Sequence, residues 1–63
     1  MGKLADAEAL FRRELEGCKK ILGEDHPDTL VSVRNLLALV EATGKPEDAE
    51  PLREWLRRAE AAR

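Results

Sequence analysis

The sequence GKLADAEAL at residues 2–10 recurs 42 positions later as GKPEDAEPL at residues 44–52, with six of the nine positions identical. Self-similarity at a period of roughly 20–50 residues is typical of helical solenoids, in which each unit buries its apolar face only against its neighbours. The 63-residue chain holds about one and a half such units. The repeat therefore predicts a short stack of helices with incomplete ends.

The composition between and within these copies favours helices. Aromatic residues make up 3% of the chain, tyrosine is absent, and Ala, Leu, Glu, Arg and Lys dominate. These five residue types are strong helix formers, and the scarcity of aromatic residues disfavours a sheet. Glycine and proline interrupt the pattern at residues 23–27 and 43–46. We therefore predict one all-α domain over residues 1–63, with antiparallel helices at about residues 4–22, 27–43 and 46–61.

Apolar residues recur at spacings of three and four in each segment, which indicates an amphipathic helix with one buried face. The second segment is apolar beyond a single stripe, which predicts that it is covered on more than one side. The predicted core consists of Leu10, Leu15, Ile21, Leu30, Val33, Leu37, Val40, Leu52 and Leu56.

Charge and length exclude several classes of function. The formal net charge is −2, which disfavours a nucleic-acid-binding protein, and a chain of this size has little room for a catalytic domain. No apolar run approaches the length of a membrane span, and a single cysteine allows no intramolecular disulfide. We expect a soluble protein of a reducing compartment, with the cytoplasm as its location.

The first break carries an acidic cluster around one histidine: Glu24, Asp25, His26, Pro27 and Asp28. A metal site of the zinc type needs three or four well-spaced ligands, and the chain has one His and one Cys. Proline suits the first position of a helix, and Asp or His before it can cap the helix N-terminus. We therefore interpret these residues as a helix-capping loop, with either Asp25 or His26 as the cap.

Cys18 lies in the apolar stripe of the first segment, which favours a small buried side chain over a nucleophile. An activated thiolate needs a nearby cation, and His26 lies beyond the break. No set of base, nucleophile and metal ligand emerges from the residues. The sequence thus predicts no enzyme activity, no catalytic residue, no metal and no cofactor.

A second stripe of the middle segment, opposite its core stripe, combines small and polar side chains. Such a surface suits the docking of an extended peptide, because asparagine can both donate and accept hydrogen bonds. A solvent-exposed face, or one covered by another copy of the chain, remains the alternative. The candidate groove residues are Val31, Arg34, Asn35, Ala38 and Glu41.

The string LGEDHPDT at residues 22–29, followed by VRNLLALV at residues 33–40 and the 42-residue period, resembles tetratricopeptide repeats of the kinesin light chain type. The resemblance implies a right-handed solenoid of antiparallel A and B helices whose A helices line a concave groove for peptide segments. On that phase the chain reads B-A-B. The family's paired asparagines are here Arg34 and Asn35, so only Asn35 carries over as a contact to a peptide backbone.

Other departures concern packing. Arg53 stands where the first copy has Phe11, which suggests that the last helix ends the stack with a water-facing surface. Leu37 and Leu56 replace customary small residues where helices approach closely.

Two functions follow from the resemblance and the size of the chain. The first is a non-catalytic interaction module that binds peptide segments or other copies of itself. The alternative is an engineered or excised repeat unit whose role is self-assembly. In either case we expect a protein or peptide partner and a homo-oligomer. A dimer formed by helix exchange through residues 23–27 or 44–46 is favoured, and neither nucleic acid nor a membrane is expected as a partner.

Overall fold

The computed structural model describes residues 3–62, so the predicted domain reaches Met1, Gly2 and Arg63 outside the described part. It contains helices α1 (Lys3–Leu22), α2 (Pro27–Ala42) and α3 (Pro46–Ala61). No strand occurs over residues 3–62. The predicted all-α fold with three helices is confirmed.

Glycine ends the first two helices. Gly23 has φ +95° and donates its N–H to the Lys19 carbonyl, and Gly44 has φ +74° and donates to the Glu41 carbonyl. Both angles lie in the left-handed region that glycine adopts without a Cβ penalty. A turn built on that conformation satisfies the last carbonyl groups of a helix and reverses the chain. The chain is rich in helix-forming residues throughout, and these two turns divide it into three helices.

Helix α2 lies between the other two, which do not approach each other within 8 Å between Cα atoms. Its buried residues Val33, Leu36 and Val40 are at most 1% exposed, and they join Leu15 of α1 with Ala49 and Leu52 of α3 in one cluster. Phe11, Leu37, Trp55 and Leu56 pack against this cluster and are partly buried. The core therefore lies along α2, where α1 and α3 both pack against it.

Two predicted core residues are wrong. Leu10 is 61% exposed and Ile21 is 82% exposed, because both lie on a face of α1 that α2 does not cover. Leu15, Leu30, Val33, Val40 and Leu52 are buried, whereas Leu37 and Leu56 are half-buried. The last two leucines show that the interface accommodates bulky side chains where the resemblance implies small ones.

α1 and α3 pack on α2 through different faces, although they are copies of one repeat. α1 uses the face of Phe11 and Leu15, whereas α3 uses the face of Ala49, Leu52 and Ala59. In the 42-residue register, Phe11 and Leu15 become two arginines, Arg53 and Arg57, which are exposed on α3. The outward surface of α3 is therefore charged. A charged surface of this kind is typical of the capping end of a solenoid.

Candidate functional site

The candidate groove is the side of α2 that neither neighbour covers. Val31, Arg34, Asn35, Ala38 and Glu41 are all exposed and share one stripe, while the opposite side of the same helix forms the core. Val31 is the most apolar member and is 52% exposed. The structure thus places the five predicted residues together on one accessible surface.

An ion pair fixes the carboxyl-terminal end of this stripe. The Arg53 guanidinium donates to the Glu41 carboxylate across the α2–α3 boundary and also lies 3.9 Å from Glu50. The hydrogen bond to Glu41 raises the pKa of Arg53. Glu41 is therefore positioned by a partner, whereas Arg34 makes no ion pair over residues 3–62.

A shallow depression adjoins that end of the stripe. Its wall combines the α2–α3 turn with the first turns of α3. The lining residues are Glu41, Gly44, Lys45, Pro46, Ala49 and Arg53. Neither Lys45 nor Arg53 was predicted as a groove residue, because both lie outside α2. One signal in the sequence could have indicated Arg53. It stands where the first copy of the repeat has Phe11, so a charged side chain lies at the α2–α3 boundary in place of an aromatic one.

The predicted capping loop is placed at the N-terminus of α2. His26 is the N-cap residue, and its Nδ1 atom accepts a hydrogen bond of 3.1 Å from the backbone N–H of Asp28. Pro27 opens the helix, and Asp28 lies in its first turn, where a negative charge is favourable. Of the two caps left open by the sequence, the structure selects His26. Asp25 lies on the exposed surface of the loop.

The same loop is tied to α3. The Trp55 indole N–H donates a hydrogen bond of 3.0 Å to the Glu24 carbonyl, and the Lys19 ammonium lies 5.7 Å from the centre of the Trp55 ring. A cation at this distance from an indole face is favourable. These contacts connect the end of α1, the loop and the second half of α3. They therefore anchor the loop that precedes α2 to α3.

A network of charged side chains connects the first half of α1 with the start of α3. Glu8 is 8% exposed, and its carboxylate accepts hydrogen bonds of 3.0 and 3.2 Å from Arg12 and lies 3.4 Å from the Lys45 ammonium. Arg12 also lies 3.7 Å from Asp48 of α3. The Arg12 guanidinium, followed by Lys45, holds the pKa of Glu8 below its ordinary value against the opposing effect of burial. The network links α1 to the start of α3.

Cys18 lies where α1 contacts α2. Cys18 is half-buried with its Sγ atom 3.7 Å from the Ser32 hydroxyl. Within residues 3–62, no three His, Cys, Asp or Glu side chains converge as ligands for a metal ion. None of the helices in that range is both long and apolar enough to cross a bilayer.

Comparison of the sequence with known proteins identifies its family. The family profile described as "Tetratricopeptide repeat" matches residues 1–63. Tetratricopeptide repeat protein 19, mitochondrial, from Rattus norvegicus and from Mus musculus is 34% identical over 47 residues in each case, which covers 75% of this chain. The match spans only 13% of the length of these relatives. No solved structure shows a significant match.

Repeats of this kind generally mediate protein–protein interaction, bind proteins or peptides, and do not themselves catalyse reactions. The helix count, the central position of α2 and the match over the full length agree with one another. The chain therefore belongs to the tetratricopeptide repeat family.

Proposed function

We propose that the exposed stripe of α2 binds an extended peptide segment of a partner protein. The observation that carries the proposal is that α2 is packed on both flanks and still presents Val31, Asn35 and Ala38 to solvent. A helix held rigidly on two sides binds with little loss of conformational entropy of its own. A preformed surface of this kind favours a partner that supplies the flexible segment.

The chemistry of the stripe supports an extended backbone as the ligand. Asn35 carries one acceptor and two donors, so it can pair with both the N–H and the C=O of a peptide unit. Ala38 leaves room for the ligand backbone one helical turn further along. Val31 offers an apolar contact, and Arg34 offers a charge without an ion pair in the described part of the chain. The combination favours a peptide with an apolar side chain near an acidic one.

Selection from a random peptide library at a fixed oligomeric state tests the proposal. We expect selected peptides to bind saturably, with a Kd in the micromolar range. Asn35→Ala and Ala38→Glu are expected to weaken binding at least tenfold, about 1.4 kcal/mol or more. Glu16→Ala, on the exposed side of α1, is the matched control and should leave the Kd unchanged. Equal loss in all three variants, or no saturable peptide, would refute the proposal.

We also propose that the repeats of this chain are of the kinesin light chain type. The string at residues 22–29 supports this type, because its His and Pro occupy the cap and the first position of α2.

The single free cysteine supports a reducing compartment, with the cytoplasm as the proposed location. The mitochondrial relatives make that organelle the location to compare in a fractionation experiment.

We further propose self-association as a homodimer, with exchange of a helix through residues 23–27 or 44–46. The small size of the chain favours association, because few other helices are available to cover α2, and helix exchange would preserve the observed packing of α2 between α1 and α3. The melting temperature of a dimer rises with protein concentration by mass action. A concentration-independent melting temperature, together with a scattering mass of 7.1 kDa, would exclude the dimer.

A further inference from the structure

The exposed stripe of α2 extends one helical turn beyond its predicted groove residues, towards the N-terminus of the helix. Asp28 precedes Val31 by three positions and Asn35 by seven, and this spacing places the three side chains on one side of a helix. All three are exposed, and the exposed Ala38 continues the same side. The stripe therefore begins with an acidic side chain, which the predicted groove did not include.

Two side chains of the stripe carry charges that no neighbour neutralises in the described part of the chain. Neither the Asp28 carboxylate nor the Arg34 guanidinium takes part in an ion pair there. The third charged side chain, Glu41, is paired with Arg53 at the other end of the stripe. A ligand on this surface therefore meets a negative charge, the apolar Val31 and a positive charge, in that order along α2.

Asp28 also stabilises its own helix, because a negative charge is favourable in the first turn. Glu47 has the same place in α3, since each of the two residues follows the proline that begins its helix. Glu47 is exposed as well, but it lies outside the α2 stripe. A comparison of the two residues therefore separates the stabilising role from a role in binding.

The spacing of the two charges determines the spacing of the complementary charges in a ligand. Asp28 and Arg34 are six residues apart, which is about 9 Å along a helix axis. An extended peptide rises about 3.3 Å per residue, so it covers this distance in about three residues. Complementary charges across such a surface select among partners more than they add affinity.

We propose that the ligand of the α2 stripe is an extended segment with a basic and an acidic residue about three positions apart and an apolar residue between them. The basic residue lies against Asp28, the apolar one against Val31 and the acidic one against Arg34. The inference rests on the proposed peptide-binding function of the same stripe. A uniformly acidic segment is not the preferred ligand, because Asp28 repels it.

Three displayed octapeptide libraries test the charge pattern. The mixed library has lysine at the third position, leucine at the fourth and glutamate at the sixth, with uncharged residues elsewhere. The acidic library has glutamate at both charged positions, and the basic library has lysine at both. An exposed pair of opposite charges changes an affinity by up to about fivefold. We expect the wild-type chain to enrich the mixed library over each of the others by about threefold or more.

Charge reversal in the stripe should change this preference in a defined direction. Asp28→Lys leaves two positive charges, so the acidic library becomes the preferred one, whereas Arg34→Glu favours the basic library. A partial loss of folded protein does not change the ratios, because all three libraries compete for the same folded chains. Glu47→Lys is the matched control, with the same change of charge at the same helix position in α3, and should keep the wild-type preference.

Four results overturn the proposal. Equal enrichment of the mixed and acidic libraries by the wild type would show that Asp28 takes no part, and would leave the peptide-binding function standing. A mixed preference that persists in Asp28→Lys would place the basic residue of the ligand elsewhere. A changed preference in Glu47→Lys would show a response to net charge alone. No enrichment of any library, as expected when a second copy of the chain covers the stripe, would overturn the proposed function as well.

Discussion

The Glu8 carboxylate of α1 contacts the Lys45 ammonium at 3.4 Å, although the two residues are 37 positions apart in the sequence. Lys45 precedes α3, so this contact and the neighbouring Arg12–Asp48 pair hold the two outer helices in place without direct helix packing. A nearly buried carboxylate with two cationic partners has a different proton affinity in the folded and unfolded states. Its ionisation is therefore linked to stability.

The first prediction concerns pH. Because the pKa of Glu8 is lowered in the folded state, its contribution to stability is present above the unfolded-state pKa and is lost as the pH falls through the folded-state pKa. Glu8→Gln should therefore lower the melting temperature at pH 7 and flatten its decrease in acid. The matched control is Glu50→Gln at the repeat-equivalent, exposed position. Parallel pH profiles for wild type and Glu8→Gln would contradict the role of this network.

The second prediction concerns Gly17, which lies inside the continuous helix α1. A Cβ at this position would meet nothing within 4 Å, and the repeat-equivalent residue is Ala59. Gly17→Ala should therefore raise the free energy of unfolding by about 0.5–1 kcal/mol, because alanine loses less backbone entropy in a helix. Urea denaturation followed by circular dichroism measures the change. A decrease in stability would show that the backbone of α1 needs glycine at this point.

The third prediction separates the two loop residues that could cap α2. His26→Ala removes the acceptor for the Asp28 N–H and should cost about 1 kcal/mol of stability, as the loss of an N-cap side chain usually does. Asp25→Ala is the control and should change stability by less than about 0.5 kcal/mol. A larger loss for Asp25→Ala than for His26→Ala in the same denaturation experiment would contradict the observed cap.

The fourth prediction contrasts a buried and an exposed leucine. Leu36→Ala removes a side chain that is 1% exposed and should cost about 2–5 kcal/mol, enough to abolish a cooperative melt in a chain this small. Leu10→Ala should cost less than about 0.5 kcal/mol, because the isolated fold does not bury that side chain. Similar melting curves for the two variants would place the core elsewhere.

The helices could be predicted from the sequence because the residues that begin and end them act locally. Gly23, Pro27, Gly44 and Pro46 act through backbone angles and missing N–H groups, and these effects do not depend on distant residues. The apolar stripe of α2 was predictable for a similar reason, since its core residues share one periodicity. The place of Asn35 on the opposite side follows from the same spacing.

The choice of the buried face of α1 was not predictable in this way. α1 is apolar on two adjacent faces, and periodicity alone cannot tell which one has a partner, so Leu10 and Ile21 were assigned to the core. The burial of Glu8 depends on Lys45 from another element, a non-local contact that spacing within α1 does not reveal. The pairing of Glu41 with Arg53 was missed for the same reason.

Residue-resolved mapping of a selected peptide tests the central claim, that the uncovered stripe of α2 is the ligand-binding surface. The labelled full-length chain is titrated with the tightest peptide from the library, and amide shifts are compared over all three helices. We predict that the largest shifts fall at Val31, Arg34, Asn35 and Ala38, and that Asn35→Ala lowers affinity at least tenfold. Shifts centred on α1 or on the outward face of α3, with affinity unchanged in Asn35→Ala, would contradict the account.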